Sequence, residues 1–206
     1  MSPRHARILP AALGLLTVAV VAGCATTEPA SSREVADAAA RWGAGPQYVL
    51  TTSAEGFEPV AMAAGAYGTD GFSLIFSDAV TGSIFLLTAV GGQMSVDDCS
   101  AAPLTDTGGG SVEGPVSCVE EGELLRRTSG DAEEYVQARD EVLVRVSGLT
   151  ADHDALREAA GNVRVPTSQE LDDLLAEAPP GDQAPVERGD LPPGDGAPDN
   201  GVGAGG

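Results

Sequence analysis

Apolar positions recur along the chain with changing spacing. Residues 8–22 are an almost unbroken apolar run. Val35, Ala38, Ala39 and Trp42 then fall at i, i+3, i+4 and i+7, which predicts an amphipathic helix from Ser32 that Gly43 can end. The period shortens after that. Residues 47–53 and 60–67 read as strands, and Gly68-Thr69-Asp70-Gly71 supplies turn chemistry ahead of the apolar run 72–76, a hairpin signal. Residues 83–90 form the next strand, stopped by Gly91-Gly92. Further strands are expected at 116–120, 123–127, 135–139 and 142–147. In the last of these Val142, Val144 and Val146 alternate with Leu143 and Arg145, so a period of two places three valines on one face.

Helical spacing returns near the end. Thr150 or Asp152 can cap a helix carrying Ala155, Leu156, Ala159 and Ala160, with Gly161 at its end. Thr167 and Glu170 have the spacing of a capping box ahead of Leu171, Leu174 and Leu175. Short strands joined by Gly-rich turns predict an antiparallel meander. The expected fold class is therefore α+β: a mostly antiparallel sheet with short C-terminal helices packed on it. From 179 to 206 glycine, proline and acids dominate without an aromatic. Such a segment buries too little apolar surface to offset its ordering entropy, so a disordered acidic tail is expected. The chain divides into residues 1–23, a tether with a helix at 24–46, a domain at 47–178 and the tail at 179–206.

The first segment has a defined chemistry. Arg4, His5 and Arg7 precede the apolar run, which ends in Val21-Ala22-Gly23-Cys24. A basic start, a short apolar stretch and small residues before a cut describe a secretory signal peptide; a membrane-spanning helix needs about 20 apolar residues. The four-residue ending resembles the bacterial lipobox. That resemblance implies cleavage between Gly23 and Cys24, a diacylglyceryl group on the Cys24 thiol, and a mature protein tethered by lipid to the extracytoplasmic face of the cell membrane. More than one acyl chain, palmitate among them, gives stable attachment where a single chain is marginal.

Composition narrows the rest. All eleven basic residues are arginine, against 31 acids, and the formal net charge is −20. Without lysine there is no P-loop and no Schiff-base nucleophile. Nucleic acid is excluded as a partner, because phosphate neutralisation needs clustered bases. Removing residues 1–23 deletes two arginines and no acid, so the mature chain is more acidic still. It keeps Cys99 and Cys118. Two thiols in an exported protein read as a disulfide, and closing that loop stabilises by about 3 kcal/mol in the chain-entropy model.

Catalytic chemistry is sparse. His153 is the one histidine of the mature chain and sits between Asp152 and Asp154. Acids at a helix start complement its dipole, which makes the histidine a solvated neighbour and not a metal ligand or base. No Gly-x-Ser-x-Gly elbow and no calcium loop occurs. The expectation is no catalytic residue, no metal and no cofactor. The run 142–175 resembles the end of actinobacterial-type membrane lipoproteins of unknown function, a likeness that carries over no site residue. Two readings of the domain stay open. One is an interaction module contacting another envelope protein. The other is a carrier of a lipid or other apolar ligand, motivated by the small residues Ala61-Met62-Ala63-Ala64-Gly65-Ala66, whose missing side chains leave room for a cavity.

Overall fold

The computed structural model describes residues 28–108 and 110–177. Gly23, Cys24, the leader and the tail lie outside the described residues. Among the described residues no helix is long and apolar enough to cross a membrane.

The expected α+β architecture is present, built on an eight-stranded antiparallel sheet. Helix α1, Ser32–Trp42, opens with a capping box between Ser31 and Glu34 and closes on Gly43 in the left-handed conformation. Its buried stripe is Val35, Ala38 and Ala39, with Trp42 against Phe72 at a ring separation of 5.0 Å. The strands follow as β1 (Glu58–Pro59), β2 (Gly65–Tyr67), β3 (Gly71–Ser77) and β4 (Ile84–Gly91). A short ribbon of β5 (Leu104–Thr105) and β6 (Ser111–Val112) interrupts the series. Then come β7 (Ser117–Glu121), β8 (Leu124–Ser129), β9 (Ala132–Arg139) and β10 (Val142–Leu149). Helices α2, His153–Gly161, and α3, Ser168–Glu177, end the described chain.

The sheet is more than a meander. Its order is β1-β3-β4-β10-β9-β8-β7, with β2 also on β3. The last strand therefore inserts beside β4, and the chain between β4 and β7 must travel to the far edge first. Three helices cover one face. There Phe72, Leu74 and Phe76 of β3 pair in register with Ala89, Leu87 and Phe85 of β4, and Val144 and Val146 of β10 continue the same layer. Leu156 of α2 and Leu171 and Leu174 of α3 complete this core.

Three expectations are corrected. Residues 47–53 do not join the sheet: a 3-10 turn at Pro46–Tyr48 is followed by extended chain whose one bridge joins Thr51 to Arg164. The free edge of β3 is already occupied by β1 and β2, so this segment has no strand to pair with. Residues 60–67 are broken by a 3-10 turn at Ala61–Ala63. Ala61 and Ala64 there belong to the same buried cluster as Leu171 and Leu174, so the small side chains let a helix approach. Finally, the fold begins well before residue 47. Pro29 bridges Thr167, and the Ala30 amide donates to the Pro166 carbonyl at 2.8 Å.

The three hairpins from β7 to β10 share one device. Each has a two-residue loop whose first residue is left-handed: Gly122 (φ 69°), Gly130 (φ 58°) and Asp140 (φ 52°). A Cβ at Gly130 would meet nothing within 4 Å, so substitution there costs backbone strain alone. Gly130→Ala is expected to destabilise the protein by about 1 kcal/mol, and Asp140→Gly to leave it unchanged or slightly more stable. Paired urea denaturation curves check this; equal losses in both variants would show that the turns do not set the register.

Candidate functional site

The tight turn at Gly130 pairs Ser129 with Ala132, and so places Arg127 opposite Glu134 and Thr128 opposite Glu133. Side chains alternate across a pleated strand, so Glu133 and Glu134 leave on opposite faces. Each meets an arginine of β8. The result is a charged cluster on either side of one hairpin, both assembled at carboxylates with no exposed surface.

On the face away from the helices, Arg127 and Glu134 form an ion pair that is fully withdrawn from solvent. Arg127 Nε also donates to the Cys99 carbonyl at 3.1 Å, and its Nη2 to the carbonyls of Ala102 and Pro103. Ser147 Oγ donates to Glu134 at 3.2 Å, and Arg145 stands 3.7 Å from the same carboxylate. Burial presses the Arg127 guanidinium below its ordinary value, and the Glu134 charge opposes that. The carbonyls belong to the crossing segment between β4 and β7, which acts as a strap over this face. Its anchor is the disulfide. Cys99, fully buried on the strap, is bonded to Cys118 on β7 with Cα atoms 6.3 Å apart, as the two-thiol reading expected.

On the helix face, Glu133 accepts from Arg126 Nε at 2.8 Å and Nη2 at 3.2 Å. His153 Nδ1 lies 2.6 Å from Glu133 Oε1 and 3.3 Å from the Tyr135 hydroxyl, which in turn donates to Glu121 at 3.2 Å. Burial opposes ionisation of Glu133, but the bonds from Arg126 and His153 outweigh it and hold the carboxyl below its ordinary value. The same burial, reinforced by Glu121, pushes the Tyr135 phenol well above its usual range. His153 is thus no solvated neighbour of Asp152 and Asp154. Its partner comes from β9, because α2 packs across β9 and β10 and brings its first residue over Glu133. Asp152 instead accepts from Ser83 at 2.8 Å, while Asp154 does occupy the first turn of α2.

A carboxylate on Nδ1 orients an imidazole as it would orient a general base. Among the described residues no serine or cysteine hydrogen-bonds to that ring; the hydroxyl beside it is that of Tyr135. No group of three or more His, Cys, Asp or Glu side chains has metal-holding geometry among the described residues. Sequence reasoning passed over the Arg126-Arg127 and Glu133-Glu134 pairs. A signal was there: two adjacent arginines and two adjacent acids flank a Gly-Asp turn, in a register that sets Arg127 opposite Glu134.

The second feature is a trough of about 450 Å³ between the segment 51–59 and α3. Phe57, Ala61, Phe76 and Leu174 supply its apolar floor, and Glu58, Asp173 and Glu177 stand along its margins. Glu170 also borders it, but its charge is engaged. Arg164 grips both carboxylate oxygens at 2.8 and 2.6 Å, and the Thr167 amide donates at 2.7 Å in the expected capping box. These bonds, that of Arg164 first, hold the Glu170 carboxyl down at about 2.

Searches against family models, curated proteins and solved structures find no match to this chain.

Two outcomes follow from the charged groups. Arg127→Met leaves the buried Glu134 with only Ser147 and the more distant Arg145 to answer its charge, a loss expected to cost about 3 kcal/mol, the lower end for a broken buried pair. Adding Glu134→Leu to that variant is expected to recover part of the loss; urea denaturation giving strictly additive single effects would show that the two groups do not act as a pair. The second outcome concerns pH. A depressed carboxyl contributes stability above its unfolded value and loses it as pH falls through the folded one. The gap in Tm between wild type and Glu170→Gln is therefore expected to close between about pH 5 and pH 2. A gap that is constant over that range would mean that Arg164 does not hold the carboxylate.

Proposed function

We propose that this protein is a lipid-anchored lipoprotein of the cell envelope whose domain is a non-catalytic interaction module held close to the membrane. The observation that carries the reading is the proximity of the fold to the lipobox-like ending. Val21-Ala22-Gly23-Cys24 is followed by a fold that starts pairing at Pro29. Five residues reach about 17 Å at full extension. A lipid on Cys24 would therefore keep the Pro29–Thr167 corner next to the bilayer, instead of on the long tether that residues 24–46 suggest. The Cys99–Cys118 bond supports an oxidising, extracytoplasmic location. The His153–Glu133 pair is bonded to Arg126 and Tyr135, and among the described residues no serine or cysteine hydrogen-bonds to the ring, which supports binding over catalysis.

A second reading, a carrier for an apolar ligand, keeps only part of its first motive. Of residues 61–66, Ala61 and Ala64 are buried in the cluster that holds Leu171 and Leu174, and Ala61 also lines the trough. What favours it now is the trough with its apolar floor, although acidic margins repel anionic lipids and fatty acids.

Expression in an actinobacterial host tests the anchor. Intact mass is expected to show wild type without residues 1–23 and with diacylglyceryl mass added, and a Cys24→Ser variant with neither change. Identical, unmodified N-termini in both would overturn the reading. Native mass spectra of the same wild-type sample would move the assignment to the carrier if a stoichiometric apolar ligand co-purified.

A further inference from the structure

We infer that the trough beside α3 is a docking site for an extended basic segment of a partner protein, in which an apolar side chain is flanked by arginine or lysine. This rests on the interaction-module reading and names the chemistry of its partner. The α3 wall presents residues 170, 173, 174 and 177, the i, i+3, i+4, i+7 stripe of one helix face. Leu174 is buried at the base of that stripe, while Asp173 and Glu177 are exposed one turn apart. Glu58 is exposed on the opposite wall, on the edge strand β1.

Among the described residues the charges on these walls are uncompensated, and no arginine lines the trough. Among the described residues Glu58, Asp173 and Glu177 form no ion pair, whereas Glu170 at the same margin is neutralised by Arg164. An apolar floor between anionic walls rejects an anionic amphiphile and attracts a cationic one, and the acidic excess of the whole chain steers such a partner inward.

Geometry selects a peptide over a small cation. Carboxylates stand on both walls, so a single positive charge cannot answer them all. The stripe from Glu170 to Glu177 spans about 10 Å along the helix axis. Three extended residues cover about the same length. In such a segment the central side chain points to one side and its neighbours to the other. An apolar residue directed at Phe57, Phe76 and Leu174 leaves the two flanking basic stems to reach over the margins to Glu58, Asp173 and Glu177.

The test uses the mature, acylated protein in phosphatidylcholine nanodiscs and fluorescence anisotropy of a labelled Gly-Arg-Phe-Arg-Gly peptide. Saturable binding is expected, and Asp173→Lys/Glu177→Lys is expected to weaken it by about tenfold or more. A control of equal charge change, Asp97→Lys/Glu120→Lys at exposed sites that do not line the trough, is expected to weaken it by no more than about twofold. Replacing both peptide arginines by glutamate, or the phenylalanine by serine, is expected to abolish saturable binding. Equal loss in the two protein variants would reduce the effect to net charge and overturn the site, as would no binding at all. Displacement by equimolar dodecyltrimethylammonium would assign the trough to a small amphiphile and overturn the peptide. Intact mass of the same sample reports lipidation separately. A lipidated protein that fails to bind refutes the docking site alone; an unlipidated one that binds refutes the anchor alone.

Discussion

Arg127 and Glu134 are both withdrawn from water, and neither could be so without the other and without the strap. Moving a charge out of water costs several kcal/mol per ion, and attraction between the partners offsets that only if the remaining donors are also satisfied. Arg127 meets the requirement with three carbonyls, all contributed by Cys99, Ala102 and Pro103. The strap that carries them has little regular structure of its own, only the two-residue strands β5 and β6. The covalent link from Cys99 to Cys118 confines it over β8. Ion pair, strap and disulfide are thus one unit, which covers the face opposite the helices at β8 and β9.

The helix face solves the same problem differently. Glu133 is as buried as its neighbour Glu134, yet its partners come from β8 and α2 and not from a strap. His153 at the start of α2 is placed by that contact, and Gly148 on β10 allows Leu156 to come within 2.7 Å of where a Cβ would stand. The start of α2 is thereby fixed over one spot of the sheet, by a polar contact at Glu133 and by close packing at Gly148, which pairs with Glu133 in register. One hairpin, turning at Gly130, distributes two carboxylates to two faces and so couples the helix layer to the disulfide-bound layer.

How far this was legible in the sequence follows the range of the forces involved. Helix α1 was legible in its stripe and its terminal glycine, because both are local. The Thr167–Glu170 box and the paired cysteines were legible for the same reason and from the small number of thiols. The antiparallel hairpins were expected; the insertion of β10 beside β4 was not, since no local pattern records a pairing between Val146 and Leu87. Residues 47–53 are rich in strand-favouring Tyr48, Val49, Thr51 and Thr52, yet the edge they would need is taken by β1 and β2. His153 looked solvated because its sequence neighbours are acids, and its true partner lies on another element. Arg127 and Glu134 were the missed opportunity: a two-residue turn fixes register, and register alone puts them opposite each other.

The trough connects the fold to the proposed anchor. Its helical wall begins one residue after Thr167, which bridges Pro29, and on the lipobox reading Pro29 lies five residues from the lipid-bearing cysteine. Arg164 binds Thr51 through paired backbone hydrogen bonds of 2.9 Å and Glu170 through its side chain, so it ties the two walls together at that end. A partner reaching the trough would then have to approach along the membrane surface, within the length of that short link. This favours an extended segment over a folded domain, because a segment needs only the width of a single chain between the bilayer and α3.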